Sequence, residues 1–158
     1  MKSKKAIIYF IIFIVALLVG LWGFYRNQFS TEVRDIGVDA NNELLRHFQE
    51  IYPQKEIVLC AYEDISNDDL KDLLIIYKKE KRKNAMVAII DKSGKYAITE
   101  EVPAPLENQR IEFKNIDEEG LLEFIVSGSK EGRYGYAIFR LEDMKLLDLF
   151  GEGMEDCC

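Results

Sequence analysis

The pattern of apolar and polar positions begins with one long apolar run at the N-terminus. Residues 6–25 read AIIYFIIFIVALLVGLWGFY and contain no charged side chain. A helix of this length rises about 30 Å, the thickness of the hydrocarbon core of a bilayer. The run is longer than the apolar part of a secretory signal peptide, and it ends in Trp22, Phe24 and Tyr25, which suit a membrane interface. We predict a retained single-pass transmembrane helix, with a cleaved signal peptide as the alternative.

The charges that flank this run predict its direction. Three lysines lie within residues 1–5, whereas the first basic residues after the run are Arg26 and Arg34. The positive-inside bias therefore predicts a cytoplasmic N-terminus, a cell-membrane location and an extracytoplasmic domain. The inverted orientation stays open, and it would expose the domain and its thiols to a reducing compartment.

One amphipathic helix follows a polar juxtamembrane linker, residues 26–39. In the stretch NNELLRHFQEIY, apolar residues recur at helical spacing before Pro53 ends the pattern, and these are Leu44, Leu45, Phe48 and Ile51. The sequence therefore predicts one amphipathic helix.

Short apolar runs separated by polar turns occupy the rest of a domain predicted at residues 40–150. Eight runs resemble strands: EIVLCAY, DLLIIYK, NAMVAIID, KYAITEE, RIEFKN, LEFIVSG, RYGYAIFR and MKLLDLF. Their spacing leaves no room for crossover helices, so the fold class is mostly β (α+β) with mainly antiparallel strands. The segments 92–94 and 130–132 carry hairpin turn signals.

An internal repeat relates two acidic segments 51 residues apart. The segments DISNDDLKDLLII and NIDEEGLLEFIVS align the following polar pairs before a strand: Asp64 with Asn115, Ser66 with Asp117, Asp68 with Glu119, and Asp72 with Glu123. We interpret this as duplication of a four-stranded unit, and two units favour a pair of packed sheets over a closed ring.

The acidic segments resemble the calcium loops of FG-GAP and related propeller-type repeats, in which alternating oxygen ligands surround the ion. The first copy has Asp69 where the pattern has glycine, and the second keeps Gly120. The eight aligned residues are therefore calcium candidates. The alternative is a polar turn that caps its own backbone before entering a strand.

Charge and composition narrow the function classes. The net charge is -7, which argues against a nucleic-acid partner because phosphate binding needs a surplus of basic residues. His47 is the only histidine in the sequence, so a multi-histidine metal site is excluded and a packing or solvent-facing role is expected. No phosphate-binding glycine loop or GxSxG motif is present, and a non-enzymatic role is favoured, with thiol redox chemistry as the enzymatic alternative.

The three cysteines fall into two kinds. Cys60 lies in an apolar strand, where cysteine behaves as a small hydrophobic residue, whereas Cys157 and Cys158 end an acidic segment predicted to be flexible, residues 151–158. Adjacent Cα atoms lie about 3.8 Å apart, closer than a disulfide prefers, so a permanent bond between them is disfavoured. Two adjacent sulfurs instead predict a site for a soft metal or metalloid ion.

The single anchor, the helix with a β-rich acidic domain, and the terminal Glu155-Asp156-Cys157-Cys158 together resemble the Cys-Cys-COOH (seleno)protein family called SaoC. The resemblance covers the whole chain, although its diagnostic motif is the terminal pair. It implies handling of a soft metal or organometallic species at the cell surface, with a membrane transporter, a thiol-redox protein or an organometal lyase as partners. Both terminal residues are ordinary cysteines here, so selenium-dependent properties are not carried over.

Three functional hypotheses follow. In the first, the terminal dithiol captures a soft metal, metalloid or organometallic species and relays it to transport or lyase partners. In the second, the two thiols exchange electrons with a partner dithiol. In the third, the repeat loops bind calcium in an adhesion or scaffold module, and the terminal cysteines have no role.

Overall fold

The computed structural model describes residues 14, 35–118 and 120–154. The predicted cytoplasmic segment 1–5, the transmembrane run except for Ile14, and residues 26–34 of the predicted linker lie outside this part of the chain. Within it, no helix has the length and apolar character needed to cross a bilayer.

One short helix and nine strands make up the described residues. The helix is α1 (Glu43–Ile51). The strands are β1 (Ile57–Glu63), β2 (Asp72–Glu80), β3 (Lys83–Asp91), β4 (Tyr96–Ile98), β5 (Val102–Ala104), β6 (Glu107–Phe113), β7 (Glu123–Lys130), β8 (Arg133–Glu142) and β9 (Lys145–Glu152).

The strands form two antiparallel sheets, each running in chain order. Sheet 1 has the order β1-β2-β3-β4 with β5 also paired to β3, and sheet 2 has the order β6-β7-β8-β9. The predicted mostly β fold is confirmed. The predicted repeat corresponds to the two sheets, because β2 and β7 begin 51 residues apart, each after an acidic loop.

The two predicted hairpin turns are present. Ser93 and Gly94 have φ values of 55° and 83°, and Glu131 and Gly132 have values of 54° and 80°. Successive positive φ values are those of the two-residue turns that match the twist of paired strands. These turns therefore join β3 to β4 and β7 to β8.

The prediction of one strand over residues 95–101 was wrong in its extent. Two three-residue strands replace it, since β4 pairs with Ile89 to Asp91 of β3 and β5 pairs with Asn84 to Met86 of the same strand. Between them, the N–H of Thr99 donates to the carbonyl of Ala88 in β3 at 3.0 Å, and Thr99 Oγ1 accepts the N–H of Ala88 at 3.0 Å. The Thr99 hydroxyl thus accepts the Ala88 N–H in place of a backbone carbonyl, which interrupts the regular strand pairing.

Sheet 1 is the middle layer of three, with α1 on one face and sheet 2 on the other. Leu73 and Ile75 face α1, whereas Leu74 and Ile76 face sheet 2, and all four side chains are buried. Alternate side chains of a strand point to opposite faces, so a strand covered on both faces needs an unbroken apolar run. This requirement explains the sequence DLLIIY.

Helix α1 covers the outer face of sheet 1. Asn42 caps it by accepting the N–H of Leu45 at 3.1 Å. The predicted amphipathic helix is present, with Leu44, Leu45 and Phe48 buried and Ile51 43% exposed. Tyr52 leaves the helical path after Ile51 and packs its ring against the core instead.

The limits of the domain differ from the prediction at both ends. The compact unit begins at Asp35 rather than residue 40, since Ile36 packs against the core and its carbonyl accepts the N–H of Cys60 at 2.6 Å. At the other end, β9 continues to Glu152 and Met154 packs against the core between the sheets. The segment from residue 151 to 154 therefore belongs to the folded domain and not to a flexible arm.

Candidate functional site

The first acidic loop joins β1 to β2 and closes around the carboxylate of Asp64. That carboxylate accepts backbone N–H groups from Asn67 at 2.7 Å, Asp68 at 3.2 Å and Asp69 at 2.8 Å. Asn67 and Asp69 both have positive φ values, which asparagine and aspartate tolerate better than most residues. The local sequence therefore builds a turn in which the carboxylate satisfies the backbone.

Asp72 fastens this loop to the sheet. Its side chain accepts the N–H groups of Ile65 at 3.1 Å, Ser66 at 2.9 Å and Asp91 at 3.0 Å. The residue is only 1% exposed. Burial raises the pKa of Asp72, while the N–H donors act in the opposite direction. One carboxylate thus joins the loop, the start of β2 and the end of β3.

The second acidic loop uses Glu123 in the equivalent position. Glu123 is buried and accepts the N–H of Ile116 at 2.9 Å. Its other oxygen lies 3.1 Å from Nη1 of Arg140, and the same nitrogen lies 3.2 Å from Asp117. Nη2 of Arg140 forms an ion pair with Glu142. The positive charge between Asp117 and Glu123 is therefore supplied by a guanidinium group of the protein itself.

The predicted calcium candidates lie in or next to the two acidic loops, before β2 and before β7. No group of three or more His, Cys, Asp or Glu side chains suited to a metal ion occurs in residues 35–118 and 120–154. Ser66 and Asp68 line a cleft of about 420 Å³ that Lys92 also lines, Asn115 is exposed, and Glu119 lies outside the described residues. Calcium binding stays a prediction, and the loop carboxylates have a backbone-capping role.

Cys60 is sealed in the core beneath α1. It is 3% exposed, and burial raises the pKa of its thiol to about 12. Because the thiolate is the reactive form, this cysteine is a poor nucleophile and a poor metal ligand in the folded domain. Its packing role agrees with the prediction from the apolar run.

We expect the Cys60 thiol to resist alkylation while the domain is folded. In a Cys157→Ser, Cys158→Ser double variant, iodoacetamide at pH 8 should label Cys60 only after guanidinium is added, because the native thiol is both inaccessible and protonated. Intact-mass spectrometry before and after denaturation measures this. Full labelling in native buffer within minutes would contradict the assignment of Cys60 to the core.

Gly153 and Met154 follow β9 and are held in place by the fold. Gly153 has φ of 68°, and a Cβ atom at this position would lie 2.7 Å from the carbonyl oxygen of Tyr134. Glycine is therefore required by both the backbone conformation and the close approach. Met154 follows, half-buried against the core, and Cys157 and Cys158 lie outside the described residues.

A cleft of about 570 Å³ opens between the two sheets beside Met154. Its apolar lining includes Ala85, Val102, Phe139, Leu146 and Met154. Charged groups also line it. Among them is Glu101, whose hydrogen bonds from Lys79 and Tyr77 hold its pKa below the ordinary value. The last described residue before the acidic terminus is thus part of a mainly apolar surface.

Sequence reasoning missed two residues that belong to these sites. Arg140 lies 17 positions after Glu123, and the antiparallel register that pairs the two residues brings them together. Met154 precedes the cysteines in the segment Met-Glu-Asp-Cys-Cys, and it lines the cleft between the sheets.

Comparison of the chain with protein-family models, with curated proteins and with solved structures found no match.

Proposed function

We propose that this chain is a membrane-anchored carrier whose terminal dithiol captures a soft metal, metalloid or organometallic species and relays it to a transporter or lyase. The supporting observation is the burial of Cys60 with its raised thiol pKa. Of the three cysteines in the sequence, Cys60 is thereby removed as a ligand. Thiol chemistry in the folded chain then rests on Cys157 and Cys158.

The chemistry of the terminus selects soft cations. Thiolate sulfur prefers soft ions, whereas carboxylates attract cations of any kind. Glu155, Asp156 and the terminal carboxylate disfavour thiolate formation before metal arrives, because they add negative charge nearby. A bound cation reverses that effect, and each thiol releases its proton as the metal–sulfur bond forms.

The packing of Met154 supports a short working range for the dithiol. Met154 packs against the core, so four residues remain beyond it, and they reach at most about 13–14 Å. This is about half the reach expected for a flexible arm that begins at residue 151. A carrier with so short a range requires the partner to dock against the domain itself, and ligand exchange then occurs at the contact.

The proposed setting is the outer face of the cell membrane. Residues 6–25 anchor the chain, and the domain projects away from the cytoplasm. The resemblance to the SaoC family supports a membrane transporter, a thiol-redox protein or an organometal lyase as the partner. The net charge of -7 favours accumulation of cations near the domain.

Metal titration of the full chain in mild detergent tests the proposal. The probes are Cu(I), competed against a chromophoric chelator without oxygen, and phenylarsine oxide, which binds two thiols. We expect the Cys157→Ser, Cys158→Ser variant to lose both affinities by at least about 100-fold, since no sulfur pair remains. Cys60→Ala is the matched control and should bind as the unchanged chain does. Undiminished binding by the double variant would exclude the proposal.

The unchanged chain and the double cysteine variant also distinguish the two other hypotheses from metal relay. A thiol-disulfide role requires Cys157 and Cys158 to transfer two electrons and release two protons while a partner disulfide is reduced, so a mixed disulfide would form without metal. A calcium module instead requires stabilisation of the domain by calcium that persists in the double variant.

A further inference from the structure

We propose that the cleft between the two sheets binds a small organic cation, in which an ammonium group is attached to an apolar aliphatic or aromatic body. Asp148 is the counter-ion of the ammonium group, and Asn84 accepts a hydrogen bond from the ligand. All the side chains that form this site belong to the described part of the chain. Neither Cys157 nor Cys158 is needed for this binding, so the site is additional to the proposed dithiol.

The cleft has the size and the lining of a small-molecule site. Its volume of about 570 Å³ falls within the range of about 300–1,000 Å³ that is usual for such sites. Phe139 and Leu146 line it from sheet 2, and Ala85 and Val102 line it from sheet 1. A mainly apolar lining favours a ligand with an apolar body, because contact between the two removes apolar surface from water.

The charges on the lining favour a positively charged ligand. Among the described residues, the charged side chains that line the cleft are Lys79, Lys83, Glu101 and Asp148. Lys79 forms an ion pair with Glu101, and Lys83 Nζ lies 3.3 Å from Glu80. The carboxylate of Asp148 has no ion-pair or hydrogen-bond partner in the part of the chain that the structure describes. The charge that remains uncompensated at the cleft is therefore negative.

The position of Asp148 places this charge next to apolar surface. Asp148 lies opposite Phe139 in the register of β8 and β9, so the two side chains lie on the same face of sheet 2. Leu146 precedes Asp148 by two positions and shares that face. The ring of Phe139 stacks on that of Phe124, with centroids 5.8 Å apart, which holds it in place. An ammonium group at Asp148 therefore leaves its apolar body against the lining from β8 and β9.

Asn84 provides a second acceptor from the opposite sheet. The residue is 7% exposed, and its Nδ2 donates to the carbonyl oxygen of Pro105 at 2.7 Å. No donor among the described residues reaches its Oδ1. In the same part of the chain, only Oγ of Ser66 is a sealed polar side-chain atom without a partner, so Oδ1 of Asn84 keeps contact with the cleft that it lines. An ammonium group has three donors and no acceptor, and it matches a site with two acceptors.

NMR of the full chain in lipid nanodiscs, with methyl-¹³C-labelled methionine, tests the proposal. The probe is 2-phenylethylammonium, which keeps its charge at pH 7, and its neutral and anionic counterparts are 2-phenylethanol and 3-phenylpropanoate. We expect a saturable shift of the Met154 methyl signal, because Met154 lines the cleft. Met144 is the internal control, since it lines the other cleft, and its signal should not move. The ammonium probe should bind about three- to tenfold more tightly than the alcohol, and the anion most weakly.

Two substitutions assign the two polar roles. Asp148→Asn keeps the shape of the side chain and removes the charge, so the ammonium probe and the alcohol should then bind within about twofold of each other. Glu107→Gln is the matched control, because it removes the same charge from β6 at the other edge of sheet 2 and should keep the preference. Asn84→Ala should weaken both probes by about threefold or more, since both donate a hydrogen bond and only the acceptor is lost.

The outcomes are distinct from those of the metal titrations. The absence of a saturable shift at Met154, or tightest binding of the anion, would overturn the proposed cation site. A preference for the ammonium probe that survives Asp148→Asn would show that Asp148 is not the counter-ion, and undiminished binding of both probes by Asn84→Ala would remove Asn84 as the acceptor. The Cys157→Ser, Cys158→Ser variant should bind the ammonium probe as the unchanged chain does, whether or not the dithiol carries metal.

Discussion

Replacing Asp72 with alanine is expected to lower the free energy of unfolding by about 3–5 kcal/mol. The substitution removes the acceptor for the N–H groups of Ile65, Ser66 and Asp91. A buried N–H group left without an acceptor costs about 1–3 kcal/mol. The N–H groups of Ser66 and Asp91 are only partly buried, so water can hydrate them to some extent, whereas that of Ile65 is buried. The loop, β2 and β3 lose their common attachment together.

Urea unfolding of the full chain in nonionic detergent, followed by circular dichroism, measures the effect. The matched control is Asp68→Ala in the same loop, because Asp68 is exposed and accepts the N–H of Leu70. We expect this control to cost less than about 1 kcal/mol. Equal destabilisation by the two substitutions would contradict the structural role of Asp72. Repeating the titrations with calcium also tests the calcium hypothesis, which predicts a stability gain that Asp72→Ala abolishes.

The repeated β architecture could be predicted because the apolar runs and the polar turns between them recur along the sequence. Runs such as DLLIIY and NAMVAII indicated strands, and the acidic segments marked where each unit turns from its first strand into its second. The turn at Glu131 and Gly132 was readable from its glycine. Strand β5 was not, because it contains only Val102–Ala104 and includes a proline, which strands usually disfavour.

The sequence pattern alone could not show the roles of the acidic-loop residues. The sequence singled out Asp64 and Asp72 as calcium candidates, but alternating carboxylates suit calcium binding and backbone capping equally well. The choice depends on whether the loop turns its N–H groups or its carboxylates inward, and here the N–H groups of Asn67 and Asp69 point to Asp64. In the second unit, Arg140 forms an ion pair with Glu123, and the sheet register rather than the local sequence brings the two residues together.

Truncating Phe48 to alanine is expected to cost about 3–5 kcal/mol, because it removes the centre of the contact between α1 and sheet 1. Phe48 is fully buried, and its ring centroid lies 5.1 Å from that of Tyr52 and 5.3 Å from that of Tyr77. A helix of nine residues has little stability of its own, so it depends on this packing. Loss of the ring should loosen the helix and expose the outer face of sheet 1.

Ile51→Ala on the same helix is the control that separates packing from helix propensity. Both substitutions introduce alanine, the best helix former, but Ile51 is 43% exposed and Phe48 is fully buried. We expect Ile51→Ala to change the free energy of unfolding by less than about 1 kcal/mol. Of the two variants, only Phe48→Ala should let iodoacetamide reach the Cys60 thiol. Cys60 faces the same layer as Phe48, so its labelling rate reports how firmly α1 covers the sheet. If both variants unfold at the same urea concentration, or if Cys60 stays protected in Phe48→Ala, α1 is not the element that seals this face.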